Sequence, residues 1–510
     1  MRAPHLSATP GLLRWLVLSV LAVGVRLLYT FSTSPDAPIA STDAWGYRQL
    51  AANLDSGNGF SLRGEAPFVP DSIRTPLYPA FLLLVRRTLG SSPRTAAGVQ
   101  AFLDAGTMLL TGWLATRLAG HRAGRIAALL YALNPTQVRY ASELLTETLL
   151  SFLLALAVYL LICYRGTMHL TAPLGSPLPS RPERATGYVV LLGAVTGFSA
   201  LCKPNVEFMA FVWLLAIVWM GWGNWRRVAL DSTMLILAAL VILLPWALRN
   251  RLVFGRWFLS TAFEGNVSRV SAPATLAALQ RRYVAPWTPD WEALFGQIVA
   301  SASTRYDWHA PWDTLTVREM DLANYQVYAT ARQVLLEHPL AWLLSHAQGM
   351  ARYLEPQTYR VCYARFTGRP WPPDVLDDAA ILVLRALGSG DWSVAGQIIV
   401  QERWLKLSRL QGVVWWGTFA GQLVGLALML RGAHRLRSQR VLVMALLLAI
   451  AYVLWVPGPI AYERFRVPVM SLILALIAAS LPVAIQAKGT VGMRRAHTGP
   501  NGPGIGTSAS

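Results

Sequence analysis

Apolar stretches recur along the chain at about the 20-residue length that a helix needs to cross hydrocarbon. We place them at residues 12–31, 98–116, 124–139, 142–163, 187–202, 206–222, 228–247, 411–430, 440–456 and 467–485. Short basic connections separate most of them, and two long polar stretches, 32–97 and 249–410, interrupt the series. A helix satisfies its backbone donors and acceptors within its own segment, so repeated apolar runs of this length take that form in lipid. The pattern predicts an α-helical polytopic membrane protein with about 10 to 12 transmembrane helices.

Composition agrees. The chain has 510 residues, 54% hydrophobic and 14% charged, where a soluble domain carries about 25% charged residues. A net charge of +19 would point to nucleic acid in a soluble protein, but here the basic residues gather in short loops. With the N-terminus inside, Arg2 and Arg14, Arg117, Arg122 and Arg125, Arg165, Arg181 and Arg184, and Arg226 and Arg227 fall on the cytoplasmic side. So do Arg431, Arg435, Arg437 and Arg440, and Lys488, Arg494 and Arg495, as the positive-inside rule requires. Both termini then come out cytoplasmic and both long stretches extracytoplasmic. Tyr29-Thr30-Phe31 after the first run lacks the small residues of a cleavage site, so the run reads as an uncleaved anchor.

This organisation predicts an N-terminal transmembrane module, 1–248, that includes the outer loop 32–97. It is followed by an extracytoplasmic α or α/β domain at 249–410, C-terminal transmembrane helices at 411–487, and a disordered cytoplasmic tail at 488–510. Residues 166–186 read as a Pro-rich cytoplasmic loop, and no internal repeat is visible. Cys163, Cys202 and Cys362 have no metal-type spacing, and no structural disulfide is expected.

The first outer loop carries the richest chemistry. Tyr47, Leu50, Ala51 and Leu54 recur at three- and four-residue spacing, which predicts a short amphipathic helix in the interface with Asp43 at its N-terminus. Asp43 there reads either as a helix cap or as a functional carboxylate. Arg74 precedes the stiff Pro76-Leu77-Tyr78-Pro79 element and reads as an interfacial anchor or as a cation for a lipid phosphate. Glu143 and Glu147, four apart, are expected on one helix face, with Arg139 beside Glu143 and Glu147 a turn deeper. Lys203, Arg249, Arg464 and Arg466 end or begin spans on the outer side. Together with Arg74 they would form a funnel for phosphate.

Four elements in order carry a family resemblance. They are Thr42-Asp43-Ala44-Trp45-Gly46-Tyr47 with Arg74-Thr75-Pro76-Leu77-Tyr78-Pro79; Ser142-Glu143-Leu144-Leu145-Thr146-Glu147; Pro245-Trp246-Ala247-Leu248-Arg249-Asn250-Arg251-Leu252-Val253-Phe254-Gly255; and Tyr462-Glu463-Arg464-Phe465-Arg466-Val467-Pro468. The chain resembles a GT-C superfamily glycosyltransferase, of the bacterial branch similar to protein O-mannosyltransferases and to the aminoarabinose transferase that modifies lipid A. The resemblance implies a GT-C type fold in a bacterial plasma membrane, an outward-facing active site and a polyprenyl-phosphate-linked sugar donor. It also implies an envelope lipid, glycan or protein as acceptor. Asp43 is implied as the catalytic residue and Arg74 and Arg249 as donor-phosphate ligands, with Lys203, Arg464 and Arg466 further cations. Tyr47, Tyr78, Glu143 and Glu147 are candidate substrate-binding residues. Protein mannosyltransferases usually carry Asp-Glu where this chain has Asp43-Ala44, which weighs against a protein acceptor.

The chemistry follows from first principles. Inversion at an anomeric carbon needs a base for the acceptor proton and cations for the departing phosphate. The sequence offers no Walker-type loop, dinucleotide fingerprint or persuasive nucleotide-sugar motif. No cofactor is firmly expected. Asp307, His309 and Asp313 could hold a divalent ion, though no His-Glu-x-x-His helix supports one; otherwise His309 is a polar surface residue among Tyr306, Trp308 and Trp312, aromatics that could equally stack on a sugar or sit at lipid headgroups. The competing reading is a transporter or lipid flippase in which Glu147 couples ions, and a third is a noncatalytic scaffold.

Overall fold

The computed structural model describes residues 10–167, 182–302, 316–355, 357–369, 371 and 379–481. Within them the secondary structure is helical apart from an isolated antiparallel bridge between Ser61 and Pro70. The N-terminal half contains α1 (Pro10–Phe31), α2 (Thr42–Asp55), α3 (Leu77–Leu89), α4 (Pro93–Ala119), α5 (His121–Ala132) and α6 (Pro135–Ser142). It continues with α7 (Glu147–Thr167), α8 (Pro182–Cys202), α9 (Met209–Met220) and α10 (Trp225–Phe254). Next come α11 (Ala262–Asn266), α12 (Ala272–Leu279), α13 (Pro289–Ser301), α14 (Val317–Glu337) and α15 (Pro339–Gly349). After α16 (Gln357–Thr367), α17 (Ala379–Gly388) and α18 (Trp392–Val400), the last described helices are α19 (Arg409–Arg435), α20 (Arg440–Trp455) and α21 (Met470–Ser480).

Six stretches among the described residues are long and apolar enough to cross a membrane: Gly11–Phe31, Glu147–Gly166, Ala185–Cys202, Trp225–Phe254, Arg409–Arg435 and Arg437–Trp455. The polytopic helical architecture expected from the pattern is therefore present. The central core joins α7, α8, α9, α20 and α21 with the facing ends of α4 and α5, through residues such as Leu154, Val158, Leu192, Trp213, Leu446 and Leu476. By contrast α1, α10 and α19 expose most of their apolar side chains, among them Leu16, Leu28, Val241 and Val424. Such faces are stable against lipid, which makes no hydrophobic demand for burial.

Two expectations are corrected. The run at 124–139 is not one helix: α5 ends at Ala132, and α6 begins only after Asn134, whose side chain accepts from the Thr136 and Gln137 amides. Pro135 lacks an amide hydrogen and disfavours helical backbone in the residue before it, so the break is local in origin. Twelve residues in α5 rise about 18 Å, short of the hydrocarbon core. At its end the Tyr131 carbonyl accepts from the Asn134 amide, and the buried Arg26 of α1 donates to the carbonyls of both Tyr131 and Ala132. Asp104 of α4 pairs with Arg26 and accepts from the Tyr131 hydroxyl at 2.7 Å. The ion pair is accounted for as a clamp on the broken helix.

The second correction concerns Glu143 and Glu147. Helix α6 stops at Ser142, Glu143 is extended, and α7 starts at Glu147. The two carboxylates thus lie on separate elements and share no helix face. Within 249–410, Val267, Ala272, Ile298, Val327 and Ala331 form a small core that draws in α12, α13 and α14. The His346 ring of α15 reaches the Trp455 carbonyl at 2.8 Å and so ties this region to the end of α20.

Candidate active site

Helix α2 forms where the spacing of Tyr47, Leu50 and Ala51 predicts, with those side chains buried. Its cap is Ser41, whose hydroxyl accepts from the Ala44 amide at 3.2 Å. Asp43 sits in the first turn and is not needed as a cap. Its carboxylate remains 46% exposed and accepts from Arg464 Nη1 at 2.8 Å and Arg74 Nη2 at 3.4 Å.

Arg74 is delivered by the loop that ends at Pro76. The Asp71 carboxylate accepts from its backbone amide at 2.9 Å. Its guanidinium lies over the Tyr47 ring, 5.5 Å from the centroid, and against Gly46. A Cβ at Gly46 would stand 2.9 Å from Arg74 Nη2, so the absence of a side chain lets the arginine cross α2. Tyr47 meets Tyr78 edge to face at 5.1 Å. Tyr78 itself is fully buried and donates to Gln100 at 2.6 Å. Gln100 in turn donates to the carbonyls of Ala141 and Glu143. Tyr78 therefore braces the loop against α4 and the α6–α7 connection.

Glu147 opens α7 and is fully buried. Lys203 Nζ, just past α8, and Arg464 Nε each lie 2.5 Å from its Oε1. Arg464 comes from the 3-10 segment Glu463–Val469. That segment is pinned by Glu463, which is buried and accepts from the Thr136 hydroxyl and from the Thr358 amide at 2.7 Å. Gln137 and Ser151 donate to the Val467 carbonyl at 3.1 and 3.3 Å. The break between α5 and α6 thus supplies the residues that hold Arg464 in place.

Asp43, Glu147, Arg74, Lys203 and Arg464 form one cluster in which three cations face two carboxylates. One positive charge is in excess, and the first turns of α2 and α7 add their positive helix ends. Burial pushes the Asp43 pKa up, but Arg464 by charge and hydrogen bond, then Arg74 and Lys203, hold it below the ordinary carboxylate value. Burial likewise opposes the charge on Arg464, and Glu147, Tyr462 and Asp43 outweigh it.

Five of the residues singled out from sequence are therefore brought together, with Tyr47 packed against them. Arg249 lies elsewhere: it donates to the Asp71 carbonyl at 3.2 Å and stacks over Trp246, Phe60 and Phe254. It meets the Arg74 loop from behind. Glu143 is held by Arg139 at 2.9 Å, the local pair the spacing predicts. Arg466 lines a separate apolar cavity with Tyr353 and Tyr359. Asp71, Ser41 and Glu463 are the structural participants that sequence reasoning missed. Glu463 lay within a motif already singled out, whereas nothing local marks Asp71.

Asp307, His309 and Asp313 lie outside the described residues. Among the described residues no group of three or more His, Cys, Asp or Glu is placed to hold a metal ion.

No family model and no curated protein matches the chain. Solved structures do. The oligosaccharyltransferase of Archaeoglobus fulgidus in the apo form aligns at a TM-score of 0.46 and 14% identity, over 92% of this chain and 50% of its own. The same scores and shares hold for archaeal AglB in complex with an inhibitory peptide and a dolichol-phosphate. ArnT from Cupriavidus metallidurans bound to undecaprenyl phosphate aligns at 0.40 and 16% identity, over 93% of this chain and 77% of its own. The chain spans about half the length of the archaeal enzyme. Similarity of this degree assigns no activity, substrate or partner.

Proposed function

We propose that the protein is an integral membrane glycosyltransferase that moves a sugar from a polyprenyl-phosphate-linked donor to an envelope acceptor on the extracytoplasmic face of a bacterial plasma membrane. The observation that carries this reading is a half-exposed carboxylate, Asp43, within a cluster whose three cations outnumber its two carboxylates by one. In the same reading 1–248 is the catalytic membrane module, 249–410 an extracytoplasmic domain and 411–487 the closing membrane helices.

The roles divide by exposure. Glu147 is enclosed and neutralised by two cations, so it positions Lys203 and Arg464 and does not react. Asp43 can reach a substrate. The acceptor hydroxyl gives its proton to Asp43 while its oxygen bonds the anomeric carbon. The bond from that carbon to the phosphate oxygen breaks, and the phosphate leaves with the electron pair. Arg74, Lys203 and Arg464 stabilise the charge that develops on it.

The low pKa of Asp43 keeps it ionised at neutral pH but makes it a weak base, and general-base efficiency falls with basicity. A donor phosphate relieves this by drawing Arg74 and Arg464 toward itself. The carboxylate then loses part of its cationic clamp, and its basicity rises when the donor is present. Arg249 acts at one remove, by holding the Asp71 end of the Arg74 loop. The transporter reading depends on an ion-coupling Glu147, and that support weakens when both its cations are already in place.

The direct test is to incubate the purified protein with polyprenyl-phosphate sugars and an envelope extract and to follow sugar mass increments by mass spectrometry. A protein-dependent increment on an acceptor, with release of polyprenyl phosphate, is expected. Translocation of donor across vesicles with no increment on any acceptor would replace this reading with the flippase.

A further inference from the structure

A cavity of about 660 Å³, lined by Arg466 and by none of Asp43, Glu147, Lys203 and Arg464, lies between α19, α21 and the end of α20. The volume falls in the range of about 300–1,000 Å³ typical of small-ligand sites. Its shape comes from glycines on α19. At Gly432 a Cβ would strike the Leu476 carbonyl, so α19 and α21 cross there in close contact. At Gly417 and Gly421, which line the cavity, a Cβ meets nothing within 4 Å. The two helices therefore diverge from a tight crossing into an open wedge.

The wedge is lined mainly by apolar side chains; of its polar residues Asn134, Thr136, Tyr353 and Thr418 have hydrogen-bond partners, whereas atoms of Arg466 and Gln422 do not. Arg466 stands at its wall beside Tyr353 and Tyr359, and among the described residues it has no ion-pair partner. Its Nε is buried without a hydrogen bond, as are both amide atoms of Gln422 on α19. A buried polar atom left unpaired costs about 1–3 kcal/mol, so the wall is built for something that brings an acceptor. Leu423 and Val424 on α19 are exposed, and the wedge opens where lipid would lie.

We propose that this wedge binds one chain of an anionic membrane phospholipid, with the headgroup phosphate on Arg466. Charge complementarity selects the occupant: an unmatched guanidinium above an apolar slot fits a phosphate attached to a hydrocarbon chain. The phosphate here is not the donor's, because the donor phosphate belongs with Arg74, Lys203 and Arg464, none of which lines this cavity. That exclusion rests on the transfer reading, whereas the lipid site stands without it.

The test uses full-length protein, delipidated and titrated in detergent with phosphatidylglycerol, phosphatidylcholine or a polyprenyl monophosphate, with bound lipid counted by native mass spectrometry. Phosphatidylglycerol is expected to bind about tenfold more tightly than phosphatidylcholine. Arg466→Gln removes that preference, and Gly421→Leu, which fills the open wedge, weakens both phospholipids. Melting temperature shows that each variant is folded, and either variant alone suffices as a test. Wild-type phosphatidylglycerol binding in the folded variants would overturn the site. Displacement of phosphatidylglycerol by equimolar polyprenyl monophosphate, abolished by the same substitutions, would give the wedge to the donor chain and overturn the second-lipid assignment. Failure of sugar transfer in a separate assay bears on the proposed activity alone.

Discussion

Arg464 and Arg466 stand two residues apart on one 3-10 segment and enter two unlike regions. A 3-10 helix repeats every three residues, so side chains two apart point to different sides. Arg464 meets Glu147 and Asp43 in a cluster where each cation has a carboxylate within reach. Arg466 lines a largely apolar cavity together with Tyr353, Tyr359 and Gln422. An anion entering the first region must compete with carboxylates already bound. In the second it meets a charge with nothing to displace. Counting basic residues on an outer surface therefore does not locate a phosphate site; the partners those residues already have decide how an anion is held.

The sharpest way to break the comparison is at Asp43. Asp43→Asn keeps the shape and hydrogen-bonding reach of the side chain but removes the base, and transfer should fall by about 10²–10⁴-fold. Near-native turnover by the purified variant, on a donor and acceptor the wild type uses, would exclude Asp43 as the base.

Glu147→Gln tests whether the cluster is one coupled unit. Lys203 and Arg464 would lose their shared buried carboxylate, a change worth about 3–5 kcal/mol, so thermal unfolding in detergent should come markedly earlier. Arg466→Gln, which breaks no ion pair among the described residues, should melt close to wild type. Equal melting of the two variants would erase the distinction between the regions.

Arg74→Gln should weaken donor binding by about 10- to 100-fold, equivalent to about 1.5–3 kcal/mol for a lost charged hydrogen bond. Lysine should rescue only in part, since it keeps the charge without the planar fork. The same variant carries a pH signature. Because the folded-state pKa of Asp43 is depressed, its stabilising contribution is present above the unfolded value of about 3.9 and is lost as pH falls through the lower folded one. The acid limb of donor-free enzyme titrations should accordingly lie below about pH 4 in the wild type and move upward in Arg74→Gln. An unmoved limb would mean that Arg74 does not act on Asp43.

The smallest effect is expected at Gly46. Its Cβ would press on the tip of Arg74, a flexible group that can give way, and alanine is the better helix former. Gly46→Ala should weaken donor binding by less than about tenfold without lowering the melting temperature. A loss of stability with unchanged donor affinity would show that Gly46 serves helix packing alone.

Much of the fold was legible because it is local. Apolar runs long enough for lipid became helices, the three- and four-residue spacing after Asp43 became α2, and the i, i+4 pair of Arg139 and Glu143 formed. Two departures from that pattern flank the short helix α6. Asn134-Pro135 breaks a run that hydropathy alone treats as continuous, and the chain between Ser142 and Glu147 leaves the helix. Ser41, one residue before α2, is the cap.

The sequence by itself determined the apolar runs that became membrane-length helices, which loops are basic, and that Asp43 stands in the first turn of α2, because periodicity depends on neighbours a few positions away. Only the tertiary structure decided that Arg464 joins Glu147 and Asp43 across separations of 317 and 421 residues. It also decided that Arg249 braces a loop and that Arg466 faces an apolar wedge. Those outcomes depend on how α2, α7, α8 and the Glu463–Val469 segment pack. An arginine's sequence carries its charge and reach, and the packing alone carries the direction in which it points.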